Sequence, residues 1–422
     1  MYCRGSSISF EPTGFSSPSP SPALASVVLR RLLRGLESGR FVVDTPWGRY
    51  AGDSGRPGPQ AHLTLHSSRS LLRFLSGGGI GFARSYIERE WSSPDLAALL
   101  ESACRNAEIS SRTLPAPLRA AGRLRHALRR NTRRGSRRNI AAHYDLGNDF
   151  FAQWLDEGMT YSSALFSSPG QSLEDAQRAK LDRVIDWLDL ATGQDVLEIG
   201  FGWGSLAERM IRRRGCRLTG LTLSVEQLAY ANNRLGLLGL SQQADLRLQD
   251  YREIEDSFDR IVSIEMLEAV GEKYWPVFFG KLAERLRPNG VAVLQVISID
   301  EHRFEHYRRN PDFVQRYIFP GGMLPTVSAI KEQVARAGLD LQATKSFGAS
   351  YALTLAAWRK RFERSWPEIE AMGYDLRFKR MWEYYLAYCE AGFRAGVLDV
   401  GLYRIVRPSN HAASAKQNRA FA

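Results

Sequence analysis

The run Gly200-Phe201-Gly202-Trp203-Gly204-Ser205 closes an apolar stretch and precedes one with helical spacing. Glycines in a strand-to-helix turn let backbone approach a ligand closely, with the helix N-terminus behind it. The pattern is GxGxG, and Ser205 stands where a dinucleotide fingerprint has its third glycine. The next apolar run ends Thr222-Leu223-Ser224, without the acid that a nicotinamide ribose needs about 20 residues on. Ser224 and Gln227 have the spacing of a capping box, which still leaves Thr222 and Gln227 free to face a ribose. Asp250 closes the run after that, either as a turn residue or as an acceptor for an adenosine, with Tyr251 next to it.

Positioning these residues requires a sheet. Helical and extended patterns alternate from residue 181: helix 181–190, strand 195–202, helix 205–214, strand 217–223, helix 224–239 and strand 244–250. Strand 258–267, helix 272–286 and strand 290–299 follow. This rhythm predicts an α/β fold, a parallel sheet with helices on both faces that binds its ligand beyond the carboxyl ends of the strands. Upstream, strand-like alternation at 41–52 and 62–67, between helical patterns near Ala25 and at 71–91 and 92–104, predicts a small α+β domain over 25–105. Residues 1–24, with their Ser/Pro repeat, and 410–422 read as tails, 106–138 as a basic linker, and 139–409 as the larger domain.

The chain has 422 residues, 44% apolar and 24% charged, which excludes collagen, coiled-coil rods and disulfide scaffolds. No apolar run approaches the ~20 residues of a membrane span. Net charge is +12, and ten Arg with no acid lie between Ile109 and Tyr144. A basic tract suits nucleic acid, anionic lipid or an acidic protein. Cys3, Cys104, Cys216 and Cys389 form no CxxC or Cys/His cluster, so a reduced, cytoplasmic setting without a metal site is expected. Residues 1–25 lack the apolar core of a signal peptide.

VLEIGFGWGS, GLTLS-x-EQ, LQDYRE, FDRIVSIEMLEAVG and LRPNGVAVLQVI together resemble a class I S-adenosylmethionine-dependent methyltransferase, with its Rossmann-like sheet. HYDLGNDFFAQWLDEGMTYSSALF, YIFPGGMLP, SFGASYALTLAAWRKRF and YYLAYCEAGFRAG narrow the resemblance to the cyclopropane-fatty-acyl-phospholipid synthase family. GGGIGFARSYIEREW resembles that family's small lipid-facing domain. The likeness spans roughly residues 30–407.

The resemblance implies attack by a cis double bond of a phospholipid acyl chain on the sulfonium methyl of S-adenosylmethionine. An isolated alkene is a weak nucleophile, so rate comes from alignment in a dry pocket and from stabilising the carbocation. Aromatic faces such as Tyr161, Phe166, Tyr317, Phe319, Tyr351 and Tyr385 suit that task. Tyr161 and Ser162 are expected to reach the methionine end of the cofactor, beneath a segment that begins at His143-Tyr144. Gly200, Gly202, Trp203, Gly204, Thr222, Leu223, Gln227, Asp250 and Tyr251 complete the cofactor set.

A base must then remove a proton, and in this family a bound bicarbonate is thought to serve. Glu268, Tyr351 and the backbone of Ile297 match its holders. Two positions depart: the family's cysteine is Ser163 and its histidine is Gln295. Cys389 matches another family cysteine near the pocket. Loss of a proton from the new methyl closes a cyclopropane, the leading expectation, whereas loss elsewhere gives a methylene- or methyl-branched chain. The expected setting is an anionic inner membrane surface, met peripherally, and a homodimer is compatible with the family. A nucleic-acid methyltransferase is the competing reading, disfavoured because no RNA- or DNA-binding module is recognisable. A non-enzymatic lipid binder is disfavoured by the intact glycine turn.

Overall fold

The computed structural model describes residues 22–106 and 146–409. The tails, the Arg tract and the His143-Tyr144 segment named above lie outside them. The described residues divide into two units. One holds residues 22–106 with Arg309–Ile318 and Trp358–Val397; the other holds 146–308, Phe319–Ala357 and 398–409. Two segments of the expected larger domain thus fold with the amino-terminal residues.

In the first unit, β1 (Arg40–Thr45) pairs antiparallel with β2 (Gly48–Asp53) and parallel with β3 (Gln60–Leu65). Short β4 (Trp91–Ser92) closes the sheet in the order β2-β1-β3-β4. Trp91 is fully buried, and its indole N–H donates to the Phe82 carbonyl at 3.0 Å and the Ser85 hydroxyl at 2.9 Å. The long helix Leu376–Arg394 packs on this core. Its Arg380 lies 3.8 Å from the centre of the Tyr86 ring and donates to the Tyr86 and Trp91 carbonyls. Helix Leu96–Arg105 starts at Asp95, whose carboxylate accepts from the Ala98 N–H, so the expected start at 92 moves past Pro94. Proline disfavours helical geometry in the residue before it.

The second unit is built on a seven-stranded sheet in the order β10-β11-β9-β8-β5-β6-β7. Its parallel part comprises β5 (Asp195–Ile199), β6 (Arg217–Thr222), β7 (Ala244–Leu248), β8 (Phe258–Ile264) and β9 (Leu286–Ile299). An antiparallel edge is added by β10 (Asp340–Ser346) and β11 (Leu398–Val406). Strands covered on both faces read as continuous apolar runs. Val196, Leu197 and Ile199 obey this, while Glu198 interrupts it with a buried carboxyl group. Strand order reverses between β5 and β8, which puts a ligand crevice at the carboxyl ends of those two strands. Helix Ser205–Arg214 follows β5, helix Val225–Leu237 follows β6, and helix Trp275–Arg285 contributes Phe278, Phe279 and Leu282 to the core that also holds Ile261 and Leu294. This is the expected mixed α/β architecture. No helix among the described residues is long and apolar enough to cross a membrane.

Candidate active site

The glycine turn lies at the carboxyl end of β5. Gly200, Gly202 and Gly204 all have positive φ, at 83°, 58° and 86°. A Cβ placed on Gly202 meets no heavy atom within 4 Å, so the space beside it is open. On Gly204 it would meet the Ala231 Cβ at 3.1 Å, because helix Val225–Leu237 packs there. Ser224 caps that helix by accepting from the Gln227 N–H at 3.2 Å. The Gln227 side chain does not complete the box; its Oε1 accepts from the Thr222 hydroxyl at 2.8 Å. These two side chains therefore stand together at the end of β6, with Leu223 between their elements.

Asp250 is buried and accepts from the Arg252 side chain at 2.8 and 2.5 Å and from its N–H. It is both the turn residue and a charge-compensated acceptor. Tyr251 and Trp203, two aromatic members of the expected cofactor set, are both buried. Tyr251 packs edge-on against Phe278 in the core, and Trp203 is buried against Phe151 with its N–H on the Asn148 Oδ1 at 2.7 Å.

Segment 156–166 is held from beneath. Asp156 accepts from the Gly158 and Thr160 N–H groups at 2.9 Å each. Gln177 donates to the Ser162 carbonyl at 2.9 Å, and the buried Lys180 ammonium donates to the Ser162 hydroxyl at 2.7 Å. Tyr161 packs against Phe151 and Trp154. On the other side, the Thr354 hydroxyl accepts from the Ala164 N–H and the Ser350 hydroxyl from the Phe166 N–H, both at 3.1 Å.

The end of β8 holds a residue that spacing alone does not single out. The expected strand 258–267 stops at Ile264, and Glu265 follows with φ 49°. Its carboxylate Oε1 accepts from the Ser163 N–H at 2.8 Å and the Gln295 Nε2 at 2.7 Å. Its Oε2 accepts from the Tyr351 hydroxyl at 2.6 Å. Three of the expected anion holders thus converge on a protein carboxylate. The Ser163 hydroxyl is turned away and donates to the Ala164 carbonyl, so only its backbone serves. The fourth holder, the Ile297 N–H, donates to Glu268 Oε1 at 2.6 Å. Glu268 sits on the single-turn helix Leu267–Val270, and its backbone carbonyl accepts from the Met323 N–H.

A bound bicarbonate does not fit this arrangement. Gln295 spends its two amide hydrogens on Glu265 and, at 3.3 Å, on the Ser163 carbonyl. The remaining donors of Ser163, Tyr351 and Ile297 are occupied as described. Cys389 belongs to the first unit, on helix Leu376–Arg394, where burial pushes its thiol pKa up and away from reactivity.

Electrostatics follow from burial. Desolvation raises the carboxyl pKa of Glu265 and Glu198 and lowers that of the Lys180 ammonium, which faces Glu265, Asp156 and Glu198. Glu268 is pushed up to about 8, first by burial and then by the neighbouring Glu265 charge. Its Oε2 is buried without a hydrogen-bond partner, so no donor supports the charged form at that oxygen.

An open glycine turn, a Thr–Gln pair and a compensated acid at successive strand ends define an S-adenosylmethionine-dependent methyltransferase of class I. Residues 131–402 match the family described as mycolic acid cyclopropane synthetase, and the chain belongs to that family. It is 39% identical over 397 residues to the tuberculostearic acid methyltransferase UfaA1 of Mycobacterium tuberculosis, covering 92% of each chain. It is 37% identical to the cyclopropane-fatty-acyl-phospholipid synthase of Escherichia coli, covering 82% of this chain and 87% of that one. Among solved structures, the cyclopropane synthase MmaA2 from Mycobacterium tuberculosis superposes with a TM-score of 0.61 at 32% identity. That match covers 64% of this chain and 98% of the other. The enzyme class and the modification of fatty acyl chains follow from these matches.

Gly202→Val places a branched side chain at φ 58° in the open space of the turn. Calorimetry should show at least a tenfold loss of S-adenosylmethionine affinity, with the far-UV circular dichroism of wild type; unchanged affinity would remove the turn from the cofactor site. For Glu268 the folded state keeps a proton up to about pH 8 that a free carboxyl releases near 4.5. Its stabilising contribution is therefore complete below about pH 4.5 and is lost as pH rises through about 8. The advantage of wild type over Glu268→Gln should shrink by up to about 1.4 kcal/mol per pH unit across that window. Thermal midpoints of the two proteins measured from pH 5 to pH 8 check the slope, and a constant gap contradicts it.

Proposed function

We propose that this protein transfers the methyl group of S-adenosylmethionine to the cis double bond of an unsaturated acyl chain in membrane phospholipid, and that the product is a methylene- or methyl-branched chain. The observation carrying the branched product is the altered anion site, in which Gln295 and the Ser163 backbone bind Glu265 where the family has an imidazole and a thiol. The cofactor supplies an electrophilic methyl on a sulfonium. Thr222, Gln227 and Asp250 hold its ribose and adenosine end, the Gly200–Gly204 turn receives its methionine end, and Ser162, pinned by Lys180, orients that end.

The alkene π pair forms the new C–C bond while the C–S pair leaves with sulfur. The adjacent carbon becomes a cation, and the chain's aromatic side chains shield it from water. Loss of the proton on the methylated carbon leaves a methyl-branched alkene. A hydride shift followed by proton loss from the methyl leaves a methylene branch. Competing barriers need to differ by only ~1.4 kcal/mol to change the product ratio tenfold.

A cyclopropane product is the second reading, favoured by the family match over residues 131–402 and by the Escherichia coli relative. The two products are isomers and gain the same mass, so the test is proton NMR of fatty acids from a host expressing the protein. Signals of a methyl group on an alkene carbon, or of an exomethylene group, support the branched product. Upfield ring-methylene signals establish the cyclopropane, and unchanged fatty acids refute acyl methylation altogether.

The substrate lies in a membrane, and the Arg tract at 109–144 supplies charge for an anionic surface. Binding to anionic vesicles should weaken from low to high salt, and weaken further when Arg129, Arg130, Arg133 and Arg134 become Gln. Equal binding to neutral vesicles, or transfer of label from S-adenosylmethionine to RNA in their place, would contradict the membrane partner.

A further inference from the structure

Glu265 combines features that a structural acid does not need. It follows β8 in a left-handed backbone conformation, which costs a non-glycine residue energy and persists where the surroundings impose it. Its backbone N–H donates to the Gln295 carbonyl at 2.8 Å, tying it to β9. Three donors from three separate segments grip its carboxylate: the Ser163 N–H, the Gln295 amide and the Tyr351 hydroxyl. The residue stands immediately past β8, at the carboxyl end of the sheet where the reacting groups belong, with its carboxyl group buried among these donors. An acid serving only to neutralise Lys180 would need neither the strained backbone nor three converging donors.

We propose that Glu265 is the built-in general base of this enzyme, its carboxylate taking the place of an external bicarbonate. The inference rests on the acyl-methylation reading above. In the step assigned to it, a Glu265 carboxylate oxygen takes a proton from the methylated cation. The C–H electron pair becomes the new C=C bond, or the third ring bond if a cyclopropane forms. The resulting carboxylic acid returns its proton to water after product leaves. Tyr351, Gln295 and the Ser163 backbone are positioning groups: they fix the carboxylate and stabilise its charged form through three hydrogen bonds. Burial works in the opposite direction and raises its proton affinity, as a base requires. Because the base is attached to the chain, its distance from the cation is set by β8 and not by an exchangeable ion. Bicarbonate-independent turnover follows.

The test uses the full-length enzyme with labelled S-adenosylmethionine and vesicles of unsaturated phosphatidylglycerol, in buffer stripped of carbon dioxide. Methyl incorporation into lipid is measured with and without added bicarbonate. Wild-type turnover should change by less than about twofold. Glu265→Gln, which keeps an oxygen acceptor for the donors but cannot take up a proton, should lose 10²-fold or more in kcat, in the range of a lost general base. Its S-adenosylmethionine affinity by calorimetry should stay within about twofold of wild type. Glu265→Gly frees the three donors, and added bicarbonate should restore at least a tenfold part of the lost rate. Wild-type stimulation of tenfold or more by bicarbonate overturns the proposal, whether or not either variant folds. So does near-wild-type turnover of Glu265→Gln while Glu268→Gln is inactive. If wild type transfers no methyl to any vesicle but still binds S-adenosylmethionine, the acyl-methylation reading has failed, and the assignment of Glu265 falls with it. The two failures are distinct, because only the first leaves an active wild-type enzyme.

Discussion

One buried ammonium, Lys180, faces the carboxyl groups of Glu265, Asp156 and Glu198, and the second unit is arranged around that shortage of positive charge. A carboxylate taken out of water is tolerated only when it is paired, hydrogen-bonded or neutralised by a proton. One cation cannot compensate three acids. Asp156 is therefore served by the N–H groups of Gly158 and Thr160, and Glu265 by Ser163, Gln295 and Tyr351. Glu198 lacks a partner for one of its oxygens and is pushed toward its protonated form, as Glu268 is. The donors come from loop 156–166, from β9 and from helix Gly348–Arg364, segments far apart in the chain. Satisfying the acids thus pins those segments to the ends of the parallel strands. Groups sharing one network do not respond independently when one member is removed.

Most of the parallel sheet was legible because its strands are apolar throughout and its turns are marked. Helix Ser205–Arg214 begins and ends where Gly204 and Gly215 adopt left-handed conformations, and its boundaries match those read from spacing. For helix Leu173–Leu188, spacing predicts a start only at 181. Its first half lacks an apolar stripe, because Gln177 and Lys180 occupy buried positions of the repeat. Their side chains bond to Ser162, so the same residues that obscure the helix hold the site. The assignment of Arg309–Ile318 and Trp358–Val397 to the first unit was also invisible. It rests on contacts between residues distant in sequence, such as Arg380 with Tyr86, which local spacing does not encode.

Glu265 was hidden for a related reason. The run Ile261-Val262-Ser263-Ile264 continues into Met266 and Leu267, so an acid at 265 looks like an outward residue of one strand. The left-handed turn at Glu265 ends that strand and re-aims the side chain, and no residue type announces it, since neither glycine nor asparagine is present. The resemblance implies a role for Glu268, which takes the Ile297 N–H, while the other holders bind the acid three residues earlier.

The acid at 265 also accounts for the amide at 295. Gln295 is fully buried and lies between two acceptors, the Glu265 carboxylate and the Ser163 carbonyl, and it has two N–H groups to give them, while its own Oε1 is buried without a partner. A neutral imidazole has a single N–H and would leave one of those acceptors unserved in the interior. A charged imidazolium could serve both in principle, but its positive charge against Glu265, added to that of Lys180, would stabilise the ionised acid and weaken it as a base. Gln295 is fixed in orientation by what it donates to, and it does not titrate with pH. The serine at 163 fits the same logic, because the cradle uses its backbone N–H and leaves its side chain free to satisfy the Ala164 carbonyl. The two departures from the family pattern and the acid after β8 therefore behave as one set, in which each residue is the partner the others require.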